Sequence, residues 1–117
     1  MDRVYEISLL LDFYGQLLTP RQNEILDLHY NNDYSLGEIA EQLSISRQGV
    51  FDNLKRGKAS LDKLEEKLGL VKKFSMQKKK AEDILKSINT FDRDSLRKQD
   101  RESLDSIIRT MEEIINS

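Results

Sequence analysis

Seven side chains between positions 47 and 58 are of the types that read bases and grip phosphates. Arg47 offers a planar fork of donors that matches the O6 and N7 acceptors of guanine, and Gln48 pairs a donor with an acceptor as adenine requires. Each good bidentate pair of this kind discriminates against a wrong base by about 1–3 kcal/mol. Phe51 can lie against a thymine methyl, and Asp52 can accept from the amino group of cytosine while repelling phosphate. Lys55, Arg56 and Lys58 supply charges that suit phosphate oxygens, which fix register without reading sequence. The plain structural alternative makes Arg47 and Asp52 solvated charges on a helix face.

Such a set works only if a helix holds it and presents its first turns to a groove. Val50, Leu54, Gly57, Leu61, Leu64 and Leu68 recur in alternating steps of four and three, which predicts one long amphipathic helix from just past Ser46 to Leu68. A shorter helix precedes it. Ser35 and Glu38 form a capping box, so that helix starts at Leu36, with Ile39, Ala40 and Leu43 on its apolar face and Ala40 at a close crossing. Ser44 to Ser46 breaks the pattern, Ile45 pointing inward and Ser46 capping the long helix. Two helices joined by about three residues make a helix-turn-helix.

The flanks read as helices too. Val4, Ile7, Leu10, Leu11, Tyr14, Leu17 and Leu18 predict a helix over residues 2–17, weakened at its end by Gly15. Thr19, Pro20 and Gln22 then start a second helix that runs to Tyr30, and Asn31, Asn32 and Asp33 supply a turn. Gly69 caps the long helix, with Val71 and Phe74 folding back and a boundary near Ser75. Helical period resumes over 76–88, a polar loop follows over 89–95, and Leu104, Ile107, Ile108, Met111, Ile114 and Ile115 make a last helix with an apolar stripe. The expected organisation is a domain over 1–74 and a C-terminal helical extension over 75–117. Its stripe must be covered either by the first domain or by a second copy in a homodimer, because each side chain left in water forgoes about 1.5–3 kcal/mol.

Composition narrows the function. Charged residues are 34% of the 117 and there is one proline, which favours an all-α chain without a sheet. With no cysteine and one histidine, His29, neither a metal site nor a cofactor is expected, and His29 reads as a structural residue near a helix end. Adjacent carboxylates such as Glu65 and Glu66 diverge by about 100° on a helix, and no glycine-rich phosphate loop or nucleophile elbow is present, so no enzymatic activity is expected. No apolar run approaches the roughly 20 residues of a membrane span, and Asp2 and Glu6 stand where a secretion signal is basic; a cytoplasmic protein without membrane insertion is expected. The formal net charge of −2 hides a separation: −6 over residues 1–45, +7 over 46–80 and −3 over 81–117.

From Leu18 to Leu61 the sequence resembles the fourth region of bacterial sigma factors and related response-regulator domains. The motifs are L-T-P-R-Q-N-E-I-L-D-L-H-Y, S-L-G-E-I-A-E-Q-L-S-I-S and V-x-x-x-L-x-R-G-K. The resemblance implies a region-four-like (winged-helix-like) helix-turn-helix domain. Over nearly its whole length, from M-x-R-V-Y-E-I-S-x-L-L-D-F-Y-G-x-L-L-T through the lysine-rich stretch, the chain is similar to the YlxM-like family of small bacterial helix-turn-helix proteins. That resemblance implies a regulatory part in the signal recognition particle pathway and brings no catalytic residues. Duplex DNA is the expected partner. The alternative is an accessory factor that binds the RNA or a protein of that particle, through shape and phosphate contacts instead of base edges.

Overall fold

Short polar side chains start four of the helices. In the computed structural model, which describes residues 2–116, these are α1 (Arg3–Tyr14), α2 (Pro20–Leu26), α3 (Leu36–Leu43) and α4 (Arg47–Leu68), capped by Asp2, Thr19, Ser35 and Ser46. Helices α5 (Leu70–Ile88) and α6 (Lys98–Asn116) complete an all-α chain with no strand among the described residues. The boxes at Thr19 and Ser35 are both closed reciprocally, so each of these helix starts has two amides satisfied locally.

Three stretches differ from the periodicity. The first helix ends at Tyr14, and Gly15–Leu17 tighten into a 3-10 turn. The second ends at Leu26, short of Tyr30, because Asp27–Asn31 widen into a π turn. Here Asn31 Nδ2 donates to Asp27 Oδ1 (2.8 Å) and Asn32 Nδ2 to the Asp27 carbonyl (3.1 Å), drawing the chain off the regular ladder. His29 Nδ1 donates to the Tyr34 carbonyl (2.7 Å), so the imidazole ties this turn to the residue before α3, as its structural reading requires. Finally, α5 begins at Leu70, six residues before the expected resumption of helix at 76.

The chain divides into two compact units, one ending at Val71 and the other beginning at Lys72. In the first, α1, α2 and α3 all pack on α4. Ile7, Leu10 and Tyr14 of α1, Ile25 and Leu26 of α2, Ile39 of α3, and Val50 and Leu61 of α4 are essentially inaccessible. Each aliphatic member contributes about 1.5–3 kcal/mol through burial. Helix α2 crosses α4 at Gly57, where a Cβ would stand 2.6 Å from Leu26 Cδ1; only a missing side chain permits this approach.

Beneath the end of α4 lies a small polar cluster. The buried Tyr14 hydroxyl donates to Glu65 Oε1 (2.6 Å) and accepts from the Leu70 amide (3.0 Å), while the Val71 amide donates to the same Glu65 oxygen (3.0 Å). These two amides open α5 and lack intrahelical partners, so α1 and α4 supply them. Gly69 makes the bend between α4 and α5 in the left-handed region (φ 63°).

In the second unit, most of α5 and the whole of α6 are amphipathic, joined by a loop with a 3-10 turn at Arg93–Ser95. Arg93 pairs with Asp105, fastening the loop to α6. Ala81 and Leu104 are buried, whereas Ile84, Phe91, Ile107 and Ile114 remain substantially exposed.

Candidate nucleic-acid interface

The turn between α3 and α4 is held entirely by local bonds. Ser44 ends α3 in the left-handed region (φ 56°), which lets the Ile45 amide donate back to the Ala40 carbonyl (3.0 Å) and turns the Ile45 side chain onto the core. Ser46 Oγ then accepts from the Gly49 amide (2.9 Å), and α4 begins. At the other end of α3, the Ser35 amide donates to Glu38 Oε1 (3.0 Å) and Ser35 Oγ accepts from the Glu38 amide (3.1 Å). Those bonds from Ser35, its amide foremost, hold the Glu38 carboxyl below its ordinary pKa. With Ile39 and Ala40 buried beneath it, α3 is a fixed support for the first turns of α4.

Val50, Leu54, Gly57 and Leu61 line the buried side of α4. At about 100° per residue, Arg47, Gln48, Phe51, Asp52, Lys55 and Lys58 fall within an arc of about 140° on its other side, and Arg56 stands about 40° beyond. Six of the seven expected residues thus share a face, with Arg56 at its margin. Gln48, Phe51 and Lys55 project from it, and Phe51 is 49% exposed although nothing in the fold needs a phenyl ring there.

Four of the seven have partners within the chain, and for Arg47 and Lys58 the partner is distant in sequence. Arg47 leans over the first turn of α3: a Cβ at Gly37 would stand 2.9 Å from Arg47 Nη2 and 3.3 Å from its Cζ. Gln48 Nε2 donates to Asp52 Oδ1 (3.0 Å) across one helical turn. Lys58 is half-buried, its Nζ 6.0 Å above the ring of Tyr30 in the π turn. Gly37 and Tyr30 therefore belong to the surroundings of this face. Tyr30 was legible only as a core position and Gly37 not at all, since each acts through a residue more than nine positions away.

The Gln48 bond changes what Asp52 can do. A glutamine amide has two donor hydrogens and one acceptor, so after giving one hydrogen to Asp52 it keeps the donor–acceptor pair that adenine needs. Asp52 in turn has one oxygen engaged and is half-buried. The Gln48 amide is neutral, so Asp52 keeps its charge and the expected repulsion of phosphate stands. Among the described residues no group of three or more His, Asp or Glu side chains could hold a metal ion. No helix there is long and apolar enough to cross a membrane.

Comparison with known proteins agrees with a helix-turn-helix. A protein of Acetivibrio thermocellus is 62% identical over 117 residues, covering all of both chains, and carries the name UPF0122 protein. Relatives of the same name from Thermoanaerobacter sp. (49% over 108 residues; 92% of this chain, 86% of the relative) and Desulforamulus reducens (46% over 92 residues; 79% of each) are similar along most of their length. The family model that matches residues 1–113 is described as "Putative helix-turn-helix protein, YlxM / p13 like". With capped helices, turn and family model in agreement, the chain belongs to the UPF0122 family of YlxM/p13-like helix-turn-helix proteins.

Proposed function

We propose that this protein is a DNA-binding regulator, without enzymatic activity and resident in the cytoplasm, that reads duplex DNA through the start of α4. The observation that carries the reading is the outward face of α4 behind a rigid, doubly capped α3 and a three-residue turn. Arg47 and Gln48 contact base edges, Gln48 being held in its reading orientation by Asp52. Phe51 meets a thymine methyl, and Lys55, Arg56 and Lys58 contact phosphates. Half-exposed Ile107 and Ile114 on α6 favour a homodimer through the C-terminal helices, which would match paired half-sites in an operator.

Selection from a random duplex pool at fixed salt tests the reading. The parent enriches a defined sequence, and Arg47→Ala loses or relaxes that preference. No enrichment by the parent, or an unchanged preference in the variant, overturns it.

A second reading, in which the protein is an accessory factor of the signal recognition particle that binds its RNA or a protein, is favoured by the exposed Phe51 ring, a common anchor for stacking or apolar contact. In that case structured RNA or a protein partner depends on Phe51 and the lysines, and Arg47→Ala is silent.

A further inference from the structure

Helix α5 carries six lysines, at 72, 73, 78, 79, 80 and 86, against two acids, Glu82 and Asp83. Their spacing matters more than their number. Lys72, Lys79 and Lys86 are seven residues apart and so form one column, drifting only about 20° per step, and Lys73 with Lys80 forms a second column about 100° further round. All five are exposed. The opposite side of the helix carries Phe74, Ala81, Leu85 and Ile88, which are buried or half-buried. At 1.5 Å per residue the longer column extends about 21 Å. Lys79 reaches Asp83 (3.5 Å), while Lys73, Lys80 and Lys86 make no ion pair among the described residues.

We infer that this outward face of α5 is a phosphate-backbone contact surface for duplex DNA, separate from the residues of α4 and adding affinity without sequence preference. Duplex DNA carries one negative charge per about 1.7 Å of axis, and each phosphate that a lysine neutralises releases condensed counterions. A compact charge on a long, flexible stem suits contacts of this unspecific kind better than base reading. An anionic membrane fits the face less well. A helix lying on a bilayer inserts its apolar side, and here that side is already covered at Ala81, with Phe74, Leu85 and Ile88 half-covered. The inference rests on the reading of the protein as a DNA binder, but not on which residues of α4 meet the bases.

The test measures affinity for a 30-base-pair duplex of mixed sequence at several salt concentrations. It compares the full-length parent, Lys73→Gln/Lys79→Gln/Lys80→Gln, and a control triple on α6, Lys98→Gln/Arg101→Gln/Arg109→Gln, that removes the same charge. Each lost phosphate contact lowers the log–log salt slope by about 0.9, so the α5 triple should lose about 2 to 3 from the slope while the control keeps the parent's value. The base preference found by selection should be unaltered in the α5 triple. An unchanged slope in the α5 triple overturns the inference, as does an equal loss in both triples, which would mean that only net charge counts. Lysine-dependent binding to phosphatidylserine vesicles with an unchanged duplex slope overturns it in favour of a membrane surface. The two proposals fail separately: a slope loss in a protein with no base preference keeps this surface and removes sequence reading, and a base preference with an unchanged slope does the reverse.

Discussion

Replacing Tyr14 by Phe removes one oxygen from the cluster beneath the end of α4 and nothing else, because the ring keeps its volume in a site that is 1% exposed. The lost group gives a 2.6 Å bond to Glu65 Oε1 and receives one from the Leu70 amide at 3.0 Å. A hydrogen bond to a charged acceptor stabilises by about 1.5–3 kcal/mol. The Leu70 amide loses its partner, and Glu65 keeps its bond from Val71. The expected loss is therefore about 2 kcal/mol. For a domain of 60–100 residues that corresponds to a fall in Tm of roughly 8–16 °C, measured by circular dichroism on the full-length chain. A pH series adds an independent check. Burial, reinforced by the hydrogen bond to Glu65, pushes the Tyr14 hydroxyl above the ordinary tyrosine pKa, so at high pH the native state keeps a proton that the unfolded chain has lost. The stability Tyr14 contributes is fully present below about pH 10 and is lost as the pH rises through the native value, which Tyr14→Phe cannot show. The difference between parent and variant should shrink above pH 10. A variant within 0.5 kcal/mol of the parent, or a difference that persists unchanged at high pH, would refute the assigned role of the hydroxyl.

Other perturbations have equally definite outcomes. Gly57→Ala gains about 1 kcal/mol of helix propensity but drives a Cβ to 2.6 Å from the enclosed Leu26, at an overpacking cost of about 1–3 kcal/mol; urea denaturation should show net destabilisation, and a more stable variant would show that α2 moves aside. Gly69→Ala meets no atom within 4 Å, so its expected destabilisation of about 1 kcal/mol comes from the left-handed backbone alone. Gly37→Ala displaces Arg47 from α3; melting should be unchanged or slightly raised, while selection shows altered base preference, and an unaltered preference would mean that the resting place of Arg47 has no bearing on reading. Lys58→Ala should weaken all duplexes alike and lower the salt slope by about one, whereas a sequence-dependent effect would assign Lys58 to base reading.

The helix-turn-helix was legible because its determinants are local. Ser35, Glu38 and Ser46 act within one turn of themselves, and the apolar seam from Val50 to Leu61 repeats at the helical period. The face of α4 was legible for the same reason, since angle along a helix follows from residue number. What escaped depends on side chains that meet from distant positions. Leu26 lies over Gly57, Glu65 under Tyr14, and Tyr30 under Lys58, separations that no local pattern encodes. The π turn escaped because Ile25, Leu26, His29 and Tyr30 keep a spacing that a continuous α2 would also show; the asparagines that pull it open were read only as turn formers. Ser44 escaped since serine is not the residue usually found in a left-handed cap, where glycine or asparagine is expected.

Gly69 looks like a swivel, a residue with free backbone angles between two long helices. The bonds around it say otherwise. Tyr14 and Glu65 reach past it to grip the amides of Leu70 and Val71, so these two residues are held by the domain to which they belong. Anyone dividing this chain at the glycine would leave a buried hydroxyl and a carboxylate without their amides. The first domain taken alone must carry the opening turn of α5 with it, and a severed α5 would have to find a new start.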